Sequence, residues 1–227
     1  MARGKVTEAV LNWILYTFLG KPFPKLQGQP QEGKWYTIKI PGAKCSDGSP
    51  WEGYFKKGKE NRVIVCFYGG GVSVDAYTAA RPHTAPGGFY NPRVTDGQIV
   101  MANCEKIMGI TGSGKKNPFR DWSVITIPYD NGDFHAGTGE LEYKALDGSR
   151  QIMYYHGYTN YRSLLETCIP WLEGTPEALL ITGGSAGGFG TALLADDVIS
   201  HFPKTKNITV LVDSSVLICD RWPEIAR

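Results

Sequence analysis

Apolar residues along the chain fall into short blocks separated by Gly, Pro, Asn and Asp. Trp35-Tyr36-Thr37-Ile38-Lys39-Ile40 alternates, the period of a half-buried strand. After the turn Ser46-Asp47-Gly48-Ser49-Pro50, residues 51–55 form a second strand, and the two predict an antiparallel hairpin. Arg62-Val63-Ile64-Val65-Cys66-Phe67-Tyr68 and Ser123-Val124-Ile125-Thr126-Ile127-Pro128-Tyr129 are continuous apolar runs. They predict central strands buried on both faces. Residues 178–182 and 208–212 complete the series. Helical stretches lie between them, over 158–172 with Thr159 or Asn160 as cap, and over 191–202. This order predicts a mostly parallel central sheet flanked by helices, preceded by the antiparallel hairpin. Residues 20–34, rich in Pro, Gly and Gln, read as an extended connector. Residues 75–120 read as a long insertion between two core strands, expected to line a site rather than fill the core.

The block 9–19 follows Arg3 and Lys5 and resembles a leader in outline. Glu8 and Asn12 interrupt it, and Gly20-Lys21-Pro22 supplies no small-residue cleavage site. Val10, Ile14, Leu15 and Phe18 share a helical spacing, so an amphipathic helix packed on the domain is expected. A cytoplasmic location is the reading this supports, with secretion as the alternative.

Length and charge then narrow the function classes. The chain has 227 residues, enough for one domain with a substantial core. Its net charge is +2, and its densest basic cluster, Lys56-Lys57-Gly58-Lys59, is diluted by Glu52 and Glu60. That argues against a nucleic-acid surface. Five cysteines at scattered spacings give neither a C-x-x-C pair nor a zinc pattern, which suits a reducing compartment. No cofactor and no metal are expected. Asp130, Asp133 and His135 read as a hydrogen-bonded loop.

The candidate chemistry lies at Gly183-Gly184-Ser185-Ala186-Gly187. G-x-S-x-G between a strand and a helix is the nucleophile elbow of a serine hydrolase. The bare pattern is weak, since a chain with 28 glycines gives about 0.2 matches by chance. The strand before it, the helix after it and the paired glycines on both sides make it specific. A serine nucleophile needs a base in reach and donors aimed at the developing oxyanion. The N–H of Ala186 is one such donor. Gly69-Gly70-Gly71 directly follows the strand 62–68, where the second oxyanion loop of an elbow enzyme stands, and Gly70 and Gly71 are the candidates there.

Six blocks then occur in one order: Phe67-Tyr68-Gly69-Gly70-Gly71, Asn117-Pro118-Phe119, Ile127-Pro128-Tyr129, Gly132-Asp133-Phe134-His135-Ala136-Gly137, His156-Gly157-Tyr158 and Gly183-Gly184-Ser185-Ala186-Gly187-Gly188. Together, over about residues 35–220, they resemble the pectin acetylesterase and Notum-like carboxylesterase family of α/β-hydrolases. The resemblance implies an α/β-hydrolase fold, Ser185 as nucleophile, and Gly70, Gly71 and Ala186 as oxyanion donors. It implies removal of acyl groups from oxygen, with a small acylated substrate, a carbohydrate first; separately, the block 9–19 is too short for a membrane span, and the charge pattern already argues against nucleic acid. A lipase, thioesterase or peptidase on the same scaffold is the alternative. A non-catalytic pseudo-hydrolase holding an acylated or glycan ligand is another.

Three departures from the family pattern stand out. A tryptophan commonly follows the two glycines of the oxyanion loop. Here Gly71 stands in its place and is expected to open the pocket. Relatives are secreted and disulfide-bonded, and neither is expected here. The family's acid and base follow the elbow in the order Ser, Asp, His, yet only Ala186 to Arg227 follow Ser185. The acid and base are therefore expected beyond Arg227, which makes the single domain 1–227 incomplete at its C-terminal side. Within the chain, Asp213, His135 and Tyr129 lie at strand ends and are candidates for substrate contact or acid. His201 falls about 24 Å from Ser185 along the helix after the elbow. His156 reads as a cap residue, and His83 has no assigned role. Tyr77, Phe89 and Tyr90 of the insertion could wall a binding site or be pinned to the core.

Overall fold

The computed structural model describes Trp13, residues 15–94 and residues 96–216. Most of the expected N-terminal amphipathic helix, and Cys219, lie outside these residues. Leu15–Leu19 forms a short π-type turn. Eight strands follow: β1 (Trp35–Lys44), β2 (Pro50–Lys56), β3 (Arg62–Phe67), β4 (Ser123–Ile127), β5 (Gly139–Lys144), β6 (Arg150–Tyr155), β7 (Ala178–Gly184) and β8 (Asn207–Asp213). The helices are α1 (Ala76–Ala79), α2 (Asp96–Ile107), α3 (Gly157–Cys168) and α4 (Ala186–Ser200).

Six strands make one sheet in the order β1-β2-β4-β3-β7-β8. β4, β3, β7 and β8 run parallel, and the β1–β2 hairpin joins antiparallel at the β4 side. This is the sheet the apolar pattern predicts. Alternation sends Val63, Val65 and Phe67 to one face, where they pack with Tyr161 and Leu164 of α3 and Leu194 and Val198 of α4. Ile64, Cys66 and Tyr68 take the other face, against Ala102 of α2. Burial on both faces is why these strands carry no polar alternation.

Three boundaries differ from the sequence reading. α3 ends at Cys168 and passes into a 3₁₀ turn, Ile169–Trp171, because Pro170 cannot donate to a further helical turn. α4 begins at Ala186, directly on the elbow. The β5–β6 hairpin was not expected at all, and lies apart as a two-stranded sheet. Its turn Asp147-Gly148-Ser149 repeats the chemistry of Asp47-Gly48-Ser49. In each, the aspartate Oδ1 accepts from the serine N–H and hydroxyl, and the glycine takes a positive φ. The insertion holds α1 and α2 and contributes buried side chains of its own, among them Tyr90, Ala79 and Ala102.

Candidate active site

β7 delivers the chain to Ser185, and α4 starts one residue later. Ser185 sits at φ 56°, ψ −125°, a left-handed conformation that costs an L-residue roughly 1–3 kcal/mol. The strain is held from three sides. The Ser185 N–H donates to the Asp213 carbonyl of β8 at 3.1 Å. Gly188 N–H donates to the Ser185 carbonyl at 3.0 Å, and the Ser215 hydroxyl donates to the same carbonyl at 2.7 Å. The side chain is left exposed at the sheet edge. Among the described residues, no side chain hydrogen-bonds its Oγ.

The glycine loop stands directly against the elbow. A Cβ on Gly69 would lie 2.9 Å from Ser185 Cβ and 2.6 Å from the Gly184 carbonyl oxygen, so only glycine allows this approach. Gly70 faces Asn91 and Tyr129. Gly71 has φ 89° and turns towards the insertion. Among the described residues, the N–H groups of Gly69, Gly70 and Gly71 meet no acceptor, and that of Ala186 is an orphan of the first helical turn. Sequence reasoning selected Gly70 and Gly71 and passed over Gly69, the glycine packed on the serine. The signal was there in the run itself: its first member is nearest the strand and therefore nearest the elbow.

The space at Gly71 is not open. A Cβ there would meet the Phe89 carbonyl oxygen at 1.8 Å, because the insertion bridges Gly71 through Tyr90. Asn91 N–H donates to the Gly70 carbonyl, and Val72 N–H to the Phe89 carbonyl. The insertion backbone fills the space beside Gly71. Its aromatics divide: Tyr90 is buried with its hydroxyl on the Ala79 carbonyl, while Tyr77 is exposed and meets Phe89 edge-on.

Beneath the loop lies a buried polar layer. His135, 1% exposed, donates from Nε2 to the Tyr68 carbonyl at 2.8 Å, which fixes that tautomer. Its ring packs on Phe67 and Tyr129 and touches the α4 backbone where Gly190 leaves room. Tyr129, also buried, accepts the Phe134 N–H on its hydroxyl. The candidate substrate contacts His135 and Tyr129 are thus placed as supports of the loop, with no face open to a ligand. Asp213 is exposed, but its carboxylate accepts from the Ser214 hydroxyl, and its main chain holds the elbow. His201 closes the far end of α4, and His156 occupies the N-cap of α3. His83, left unassigned by sequence, is exposed and bonds through Nδ1 to Asn91, the residue that ties down Gly70.

Two charges in this layer are displaced by burial. Desolvation raises Asp133 to about 6, against backbone N–H donors from Gly157 and His135 that favour the carboxylate. Desolvation lowers His135 to about 4. The folded state therefore holds fewer protons on His135 than the unfolded chain between about 6.5 and 4, and stability contributed by the neutral ring is lost as pH falls through that window. The stability advantage of the wild type over His135→Asn is expected to shrink by about 3 kcal/mol from pH 7 to pH 4. Urea unfolding of both proteins across that range checks it, and a constant difference would contradict it.

An exposed, strained serine between a parallel strand and a helix, with a glycine loop packed against it, defines an α/β-hydrolase. The solved Wnt deacylase Notum from Drosophila shares the fold, with TM-score 0.54 and 21% identity over 77% of this chain and 49% of that one. The sequence matches the pectinacetylesterase family over residues 34–221, and the chain belongs to that family. Pectin acetylesterase 11 of Arabidopsis thaliana is 26% identical over 182 residues, and pectin acetylesterase 4 of the same plant 24% over 185. Each alignment covers 78% of this chain but only 43% and 42% of the relative, so the chain spans about half the length of these relatives. Among the described residues, no helix is long and apolar enough to cross a membrane.

Proposed function

We propose that the protein is a serine carboxylesterase that removes acetyl groups from an O-acetylated carbohydrate through an acyl-enzyme. One observation carries this reading: Ser185 is exposed at a strained elbow with a glycine loop and a helix N-terminus packed around it. In the proposed mechanism, Ser185 Oγ attacks the ester carbonyl, and the resulting oxyanion is held by N–H groups of Ala186 and the Gly69–Gly71 loop. Loss of the sugar hydroxyl leaves an acetyl-serine, which water hydrolyses. Because no described side chain reaches Ser185 Oγ, we assign its proton acceptor to polypeptide outside residues 15–216. The chain's likeness to pectin acetylesterases of Arabidopsis thaliana supports the acyl group and the sugar.

The test is ester turnover and fluorophosphonate labelling of a protein with the whole triad. It is expected to label and to release acetate from an acetylated oligosaccharide. The 227-residue chain alone is expected to run at least about 10³-fold slower, on its anion hole without a base. Equal turnover by the two would overturn the assignment of the proton acceptor, and an unlabelled, inactive complete protein would overturn the esterase. That last outcome is what a second reading, a non-catalytic binder of acylated glycans, expects. That no side chain among the described residues hydrogen-bonds Ser185 Oγ is the observation in its favour. The four described cysteines are free thiols, which supports our placing the protein in the cytoplasm.

A further inference from the structure

Five cationic side chains, far apart in sequence, gather around one cavity of about 630 Å³. Lys34 comes from the segment before β1, Lys56 from the end of β2, and Lys59 from the turn after it. Lys106 comes from the last turn of α2, and Arg120 from the loop before β4. Among the described residues, Asp121 is the one carboxylate in the wall, so positive charges exceed negative by four. Asp121 meets Nε of Arg120 at 2.8 Å. That leaves the two terminal guanidinium nitrogens without an acceptor among the described residues. Glu52 and Glu60, which dilute the Lys56–Lys59 cluster in sequence, do not line the cavity. Glu60 is held by Arg62 at 3.3 Å, and Glu105, beside Lys106 in sequence, is hydrogen-bonded to Tyr68.

Lys56 is the informative member, because it is only 4% exposed. Its Nζ donates to the Arg120 carbonyl at 2.9 Å and lies 5.8 Å from the centre of the Trp35 ring. An ammonium group has three donors, and no second acceptor meets this one among the described residues. Burial disfavours the charged form and lowers its pKa, and the nearby Asp121 offsets this only in part. A buried cation with incomplete pairing is costly, and the other cations around the cavity add repulsion. An anion in the cavity relieves both. The aromatic walls do not compete for that role. Phe23 and Trp35 stack on each other at 5.2 Å, with Lys106 over the first and Lys56 over the second. The cavity lies at the opposite end of the sheet from the elbow. Lys56 stands in register with Trp35 and with Val124, at the start of β4, whereas Ser185 follows the end of β7, which runs parallel to the same sheet's β3 and β4.

We propose that this cavity is a second binding site, separate from the elbow, for a small ligand carrying two phosphate groups. A phosphate ester group brings about −1.5 to −2 charges at neutral pH, so two of them match the excess of four cations. Arg120 offers its free terminal nitrogens to one phosphate as paired donors, and Lys56 supplies the unfilled donors at the base of the cavity. The site does not depend on the esterase reading. The test is calorimetry of the 227-residue chain with inorganic pyrophosphate, inorganic phosphate, citrate and a single-stranded oligonucleotide, at low and high salt. Pyrophosphate is expected to bind at one site and to weaken with salt, with phosphate and citrate each weaker by about tenfold or more. Lys56→Met removes the buried charge at similar length. It is expected to weaken pyrophosphate by about tenfold or more without lowering the melting temperature, so loss of binding is not loss of fold. Lys34→Gln with Lys59→Gln changes two exposed side chains that make no side-chain hydrogen bond or ion pair among the described residues, and the same loss is expected. Lys144→Gln with Arg150→Gln, an equal change of charge on the β5–β6 hairpin, is expected to leave pyrophosphate binding within about twofold. No binding of pyrophosphate, equal or tighter binding of citrate or of the oligonucleotide, unchanged binding in the cavity variants, or an equal loss in the hairpin variant overturns the site.

Discussion

Replacing Ser185 with alanine in the complete protein is expected to lower ester turnover by about 10³- to 10⁶-fold and to abolish fluorophosphonate labelling. The range is set by what the variant retains. The Gly69–Gly71 loop and the Ala186 N–H do not depend on Oγ, so an anion hole survives and supports residual catalysis. Stability is expected to change by less than about 1 kcal/mol, because Oγ caps nothing at the head of α4. Ser185→Gly separates strain from chemistry. It is equally inactive, yet it releases a side chain from φ 56° and is expected to gain about 1 kcal/mol over the alanine variant. Melting curves and labelling gels of the three proteins decide this. Labelling of the alanine variant at the wild-type rate would remove Ser185 from the chemistry, whatever its geometry.

The central sheet was legible because its strands are buried on both faces and must be written as unbroken apolar runs, as in Arg62–Phe67 and Ser123–Ile127. The elbow was legible because close approach of backbones leaves only glycine, and glycine is visible in sequence. The β5–β6 hairpin escaped because Gly139–Lys144 is exposed along much of its length and mixes Glu and Lys with its apolar positions. Its one clear signal was the Asp-Gly-Ser turn shared with residues 47–49. His135 was misplaced for a different reason. A strand-end position predicts an open edge, but only packing shows that its ring turns inward to the Tyr68 carbonyl. Gly71 follows the same logic. The missing tryptophan suggested space, and a main-chain carbonyl from a segment 18 residues away, at Phe89, occupies it.

Gly187→Ala is expected to be strongly damaging, although it adds only one methyl group to the site. Local propensity favours it, since alanine in a helix is worth up to about 1 kcal/mol over glycine. Packing opposes it far more strongly. The added Cβ would lie 2.0 Å from the Phe67 carbonyl oxygen and 2.7 Å from the Tyr68 carbonyl carbon. These are main-chain atoms of a central strand, with Phe67 in register with Ile127 on one side and Gly183 on the other. Neither can move without opening a ladder, and His135 holds the Tyr68 carbonyl from below. A loss of about 4 kcal/mol is expected, or roughly 8–16 °C in melting temperature for a chain of this size. Because Gly69 packs on the same elbow, labelling of Ser185 in the complete protein should fall with it. Gly184→Ala is the control: its Cβ would meet nothing nearer than the Asp213 carbonyl oxygen at 4.0 Å, and a change within about 1 kcal/mol is expected. Equal melting temperatures for the two variants would mean that α4 does not pack on β3 as closely as the elbow geometry requires.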